Sequence, residues 1–303
     1  MRFRLSHTTR YIYSAPVDIA HHVLHLDVRR LPFQDVTWSH LSCTPEPSSI
    51  SERIDHFGNR VTHLRLGRPH DSLFIAFAAE GRVHARSVPD DAATPPWETI
   101  AAQLRGDGFP EAVAASEFAL PSPLTPSLRD LMAFARPCFA PGAPVLACAR
   151  RLTRAINAAF RYDPAATDVA TPLADAFRLR AGVCQDFAHL QISALRGVGL
   201  AARYVSGYLA TRPPPGMPSL RGADASHAWV SVWCGAQAGW VDLDPTNDCL
   251  VGPRHMVAAW GRDYADVSPV RGVLSGGGAH RLEVGVDLDV DDGTDTMHGD
   301  DGR

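Results

Sequence analysis

Between Arg2 and about Ala85 the apolar residues recur at every second position, as in Phe3/Leu5, Tyr11/Tyr13, Leu24/Leu26/Val28 and Leu64/Leu66. That period turns one face of a strand to a core and the other to solvent. Turn signals at Ser14-Ala15-Pro16, Leu31-Pro32 and Phe57-Gly58-Asn59 separate the runs. The pattern predicts an antiparallel β domain over residues 1–90. Residues 91–126 are rich in Pro, Ala and acidic side chains and show no sustained strand pattern, so a connector with one short helix is expected.

Beyond residue 127 the period lengthens to that of helices. Leu128–Phe139 and Pro144–Phe160 read as helical, the second with Leu146, Ala149, Leu152 and Ile156 along one face. Thr171–Arg178 suits another helix. Val183–Arg196 suits a further one, with Val183, Phe187, Leu190 and Ala194 on one stripe. Then come a strand at Ala202–Leu209, a loop at Arg212–Pro218, and strands at His227–Trp233 and Trp240–Asp244. Helices followed by an antiparallel sheet predict an α+β core over residues 127–270. Arg281–Val290 alternates again, giving a C-terminal strand segment over 271–290. The last thirteen residues, Asp291–Arg303, hold five Asp and no aromatic and are expected to be a disordered acidic tail.

Composition narrows the function. A chain of 303 residues with 45% hydrophobic content has room for about two domains of ~150 residues each. All 29 basic residues are Arg against 33 acidic ones, a balance that attracts neither nucleic acid nor anionic lipid. Neither nucleic acid nor membrane is expected as a partner. The N-terminus lacks an unbroken apolar run, and no window reaches the ~18 apolar residues of a membrane span; a cytoplasmic protein is the expectation. Six Cys without a C-x-x-C pair read as free thiols.

Cys184 lies two residues after Gly182, in the first turn of the Val183–Arg196 helix. The unpaired N–H groups and dipole of a helix start favour a thiolate there and can hold an oxyanion on a substrate that it attacks. The other five Cys read as small buried hydrophobes. His227 shares a strand face with Trp229, Ser231 and Trp233, and on the next strand Trp240, Asp242 and Asp244 share a face. With residue 233 paired to 238 across a Gly235-Ala236 turn, His227 stands directly across from Asp244, and a register two residues longer keeps both Asp on the His face. A thiol nucleophile, a base and an orienting carboxylate are what acyl transfer requires. The His21, His22 and His25 cluster lacks the spacing of a zinc motif. Asp287–Asp295 departs from a calcium loop, with Gly at position 7 and no Glu at 12. No metal and no cofactor are expected.

Gly182-Val-Cys-Gln-Asp-Phe-Ala-His189, Ala202-Arg-Tyr-Val-Ser-Gly-Tyr208, Ser226-His-Ala-Trp229 and Gly239-Trp-Val-Asp-Leu-Asp-Pro-Thr-Asn247, in this order and spacing, resemble the core of the bacterial transglutaminase-like superfamily. Asp55-His-Phe-Gly-Asn59 resembles its N-terminal β domain, and Gly261-Arg-Asp-Tyr-Ala-Asp-Val-Ser-Pro269 resembles the segment after the core. The resemblance implies a papain-like α+β core and a Cys184-His227-Asp244 triad, with Asp242 as the fallback carboxylate. Gln185, Asp186 and His189 match the family's motif as well, with helix capping and packing as the rival reading of each. Tyr162, Gln185, Asp186, Trp229 and Asp242 are candidate cleft residues. The resemblance implies a thiol enzyme acting on a peptide or protein amide, by hydrolysis or by transfer to an amine. A non-catalytic peptide-binding module is the rival reading, against which the presence of both Cys184 and His227 counts.

Overall fold

The computed structural model describes residues 1–106, 110–210 and 226–291. The loop expected at Arg212–Pro218 and, apart from Asp291, the acidic tail lie outside the described residues.

The alternating N-terminal third forms strands β1 (Arg2–Leu24), β2 (Gln34–Thr44), β3 (Ser49–Ile54), β4 (Arg60–Leu66) and β5 (His70–Val83). They make one antiparallel sheet in the order β2-β5-β1-β4-β3, and the C-terminal strands β13 (Val270–Gly276) and β14 (His280–Asp291), labelled here by their place at the end of the chain, pair with β1 as well. β1 runs through Ser14-Ala15-Pro16, so the turn expected there is a bulge. Pairing with β5 jumps from Ile12↔Ser72 to Val17↔His70, because Pro16 has no N–H to give the ladder.

The connector carries two α-helices, α1 (Trp97–Arg105) and α2 (Pro110–Ser116), where one was expected. Ile100, Leu104, Ala112 and Phe118 are buried in the same apolar cluster as the helices that follow. Four apolar anchors among Ala and Pro are enough to hold a segment whose period is weak, since tertiary packing overrides local pattern.

That core contains α3 (Arg129–Ala135), α4 (Val145–Ala159), the two-residue strand β6 (Arg161–Tyr162), α5 (Leu173–Leu179), β7 (Ala181–Gly182) and α6 (Cys184–Gly197). Its sheet holds β8 (Ala202–Leu209), β9 (Ser226–Trp233), β10 (Trp240–Asp244), β11 (Cys249–Leu250) and β12 (His255–Gly261) in the order β11-β10-β9-β8-β12. A four-residue helix, α7 (Tyr264–Val267), leads from β12 back to β13. Helix α6 is buried from Asp186 to Arg196; its Phe187, Leu190 and Ile192 share one apolar cluster with Ala228, Val230, Val232, Val241 and Leu243 of the sheet. None of the described helices is long and apolar enough to cross a membrane.

The β9–β10 hairpin pairs Trp233 with Trp240 and Ser231 with Asp242. This is the longer of the two registers considered above, so Asp244 lies diagonal to His227 and not directly across from it.

Two buried amides join the β domain to the core. Gln34 gives its side-chain N–H to the Val257 carbonyl (2.8 Å) and accepts the Val257 N–H (2.9 Å). Asn59 does the same at Trp260, at 2.8 and 3.0 Å. Both residues are fully buried, and both cap the outer edge of β12, where unpaired backbone groups would otherwise be left.

Gly207 sits where strands cross closely. A Cβ there would stand 2.0 Å from the Met256 carbonyl oxygen and 2.6 Å from the Trp229 ring, whereas one at Gly252 would meet nothing within 4 Å. Gly207→Ala is expected to lose on the order of 3 kcal/mol or fail to fold, and Gly252→Ala to stay within ~0.5 kcal/mol of wild type, by urea unfolding. Equal stability of the two variants would refute the close approach.

Candidate active site

Cys184 is half-buried at the first residue of α6. The helix start is held by Asp186, whose Oδ2 accepts the Val183 N–H at 2.8 Å and the Thr167 hydroxyl at 2.6 Å. A Cβ on Gly182 would come within 2.4 Å of that oxygen, which is why residue 182 is glycine. Asp186 is 4% exposed; it caps the helix and does not line an open cleft. Burial raises its pKa against the pull of the Thr167 and Val183 bonds.

His227 stands at the start of β9 and donates from Nε2 to Asp244 Oδ2 at 2.8 Å. Asp244 is fully buried and accepts four more hydrogen bonds. His255 Nε2 (3.1 Å) and Asn247 Nδ2 (2.7 Å) reach Oδ2. The backbone N–H groups of Thr246 (2.9 Å) and Asn247 (3.2 Å) reach Oδ1. Burial alone would raise this carboxyl's pKa; the bonds from His227 and His255 outweigh it and hold the group well below the usual carboxylate range. For His227, burial works downward, but Asp244 and the neighbouring Cys184 push its pKa up to about 10. The geometry thus brings a thiol, an imidazole and a buried carboxylate together in one row.

The remaining candidate residues divide. Tyr162 is exposed and close enough to Cys184 for the thiol's charge to add to burial in raising the phenol's pKa. Gln185 is half-buried in the same helical turn. Trp229 is fully buried, so it is not a cleft residue: its ring packs edge-on to His255, and its Nε1 donates to Asp242 Oδ2 at 3.2 Å. Asp242 forms an ion pair with Arg86, and this pairing turns it away from His227. His189 accepts the Tyr264 N–H at 3.2 Å and packs on Tyr204; burial lowers its pKa to about 4, so it is neutral and structural. Burial pushes the thiols of Cys43 and Cys249 up to about 11 and that of Cys234 to about 12.

His255 and Asn247 were not legible in the sequence. Asn247 closes the turn after Asp244, a position that Asp-Pro-Thr-Asn could have suggested. His255 is one of 14 His and meets Asp244 only because β12 lies in the same sheet. His227, Asp244 and His255 present potential ligand atoms within 4.8 Å of one another. The 2.8 Å contact from His227 to Asp244 is a direct hydrogen bond, shorter than the ~3.2 Å or more that separates neighbouring ligands around a tetrahedral zinc ion with ~2.0–2.2 Å bonds.

Residues 3–83 match the model of the bacterial transglutaminase-like N-terminal region, and residues 133–245 match that of the transglutaminase-like superfamily. An uncharacterized protein of Mycobacterium tuberculosis is 38% identical over 98% of this chain and 95% of its own. One of Mycobacterium leprae is 31% identical over 95% and 98%. Among solved structures, a candidate cysteine protease of Cytophaga hutchinsonii superposes with a TM-score of 0.74 at 22% identity, covering 96% of this chain and 92% of that one. The chain belongs to the transglutaminase-like superfamily, with the bacterial N-terminal β region that accompanies it.

A histidine whose folded pKa exceeds its unfolded value stabilises the fold fully below ~6.5. That contribution disappears as pH rises through about 10. His227 is expected to titrate near that upper value when followed through its ring-proton NMR shifts, and Asp244→Asn should bring it down by at least ~1 pH unit. A wild-type midpoint near 6.5 would contradict the pairing.

Proposed function

We propose that this protein is a thiol enzyme that cleaves amide bonds by acyl transfer through Cys184, His227 and Asp244. The observation that carries the reading is His227 held between Cys184 and a carboxylate saturated with hydrogen bonds. Cys184 Sγ, as thiolate, attacks the substrate carbonyl carbon, and the carbonyl π electrons move to oxygen, where the N–H groups at the start of α6 stabilise the charge. The C–N bond then breaks, and His227 gives its proton to the departing amine, leaving a thioester on Cys184. Water attacks the thioester, His227 takes the water's proton, and the free acid leaves as the thiolate re-forms. Asp244 keeps the imidazole in one tautomer and stabilises its charged form.

Water is the proposed acceptor. An alkylamine titrates near ~10.4 and reaches a neutral site mostly as ammonium, so it needs a group to bind and deprotonate it; water does not. The substrate is a peptide or protein amide. Six free thiols support a reducing compartment, the cytoplasm.

Products formed from a peptide amide in the presence of excess labelled cadaverine test the acceptor by mass spectrometry. Free acid is expected; predominant amine adducts would replace hydrolysis by transamidation. Cys184→Ala should abolish turnover. Asp244→Asn should cost up to ~10⁴ in turnover, the scale of the equivalent change in a serine-protease triad, and far more than Asp242→Asn. A more damaging Asp242→Asn would overturn the assignment of the carboxylate.

A further inference from the structure

On the sheet face that carries His227 and Trp229, the loop around Leu31–Phe33 and residues 85–88 enclose a cavity of about 360 Å³ against β8, β10 and β12. It is not the thiol site. Trp229, fully buried, stands between Asp242 on the cavity wall and His227.

Two guanidinium groups face this cavity. Arg203 is sandwiched between Trp240 and Trp260, its guanidinium carbon 4.3 and 3.8 Å from the ring centroids. Among the described residues it has no hydrogen-bond or ion-pair partner, and its Nε is buried unbonded. Burial lowers its pKa to about 9, so it is charged at neutral pH. Arg86 lies 3.7 Å over the Phe33 ring and spends Nη1 on Asp242, while its Nε and Nη2 are buried without partners. Asp242 is the single carboxylate on the wall, and its Oδ2 already serves Arg86 and Trp229. Two guanidinium groups against one carboxylate leave the wall with one uncompensated positive charge, a charge in a partly apolar cavity that is costly unless a ligand balances it.

We propose that this cavity is a binding site for a small organic monocarboxylate with an apolar body. A carboxylate accepts from the Nη groups of Arg203, with Arg86 beside it, and cancels the single excess charge. A phosphate dianion would exceed that charge and crowd Asp242. The indoles of Trp240 and Trp260, with Phe33 and Leu31, provide apolar walls that a hydrated inorganic ion leaves unused. The inference does not depend on the activity proposed above.

Trp240 and Trp260 supply the readout. Titration of the full chain with 3-phenylpropionate, followed by tryptophan fluorescence and by calorimetry, should show saturable binding, with 3-phenylpropionamide and inorganic phosphate at least tenfold weaker. Arg203→Gln should weaken 3-phenylpropionate at least tenfold, and Ala85→Trp, which fills the cavity from its rim without changing charge, should do the same. Circular dichroism establishes that each variant is folded. Absence of saturation, tighter binding of phosphate or of the amide, or undiminished binding in both folded variants would each overturn the proposal.

Discussion

Asp244 is a full negative charge with no exposure to water, and the site is built around making that tolerable. An isolated buried carboxylate would take up a proton or unfold the protein, so every lone-pair direction must find a donor. The donors come from different parts of the chain: β9 supplies His227, β12 supplies His255, and the turn after β10 supplies Asn247 and two backbone N–H groups. The hairpin, the edge strand and the turn therefore have to adopt their observed positions together. His227 gains its raised proton affinity as a result of that constraint and not as a separate device.

The edge strand extends this dependence to the N-terminal domain. His255 begins β12, and β12 is gripped from outside by Gln34 and Asn59. Tyr208, Met256 and Ala258 share an apolar cluster with Phe3, Leu5, Leu73 and Ile75. The β domain thus positions one of the histidines that hold Asp244, although it lends no side chain to the row itself.

Strong local periods made most of the fold readable: α4, α6 and the strands β8 to β10 appear within a residue or two of where their patterns end. Cys184, His227 and the two Asp were legible because helix start and strand alternation are local properties. What depended on long-range packing was not. The bulge at Pro16 resembles a turn until β5 is present to pair across it. The helices at 97–116 become stable only against the core. Trp229 and Asp242 share a face with His227 as expected, yet one is sealed by packing and the other drawn off by Arg86, a residue more than 150 positions earlier in the chain. An exclusively Arg basic complement has a use here as well. Flat guanidinium groups stack between rings, as Arg203 and Arg29 do on Trp260, where a compact ammonium would have to surrender its hydration.

The paired amides on β12 also bear on separability. A strand edge whose N–H and C=O groups are answered by Gln34, Asn59 and the Arg29 backbone N–H becomes an open template once that segment is gone, ready to accept a strand from any neighbouring molecule. The core is therefore not a free-standing module to which a β domain was added. Released from it, the core would carry an adhesive border, and the partner nearest at hand would be another copy of itself.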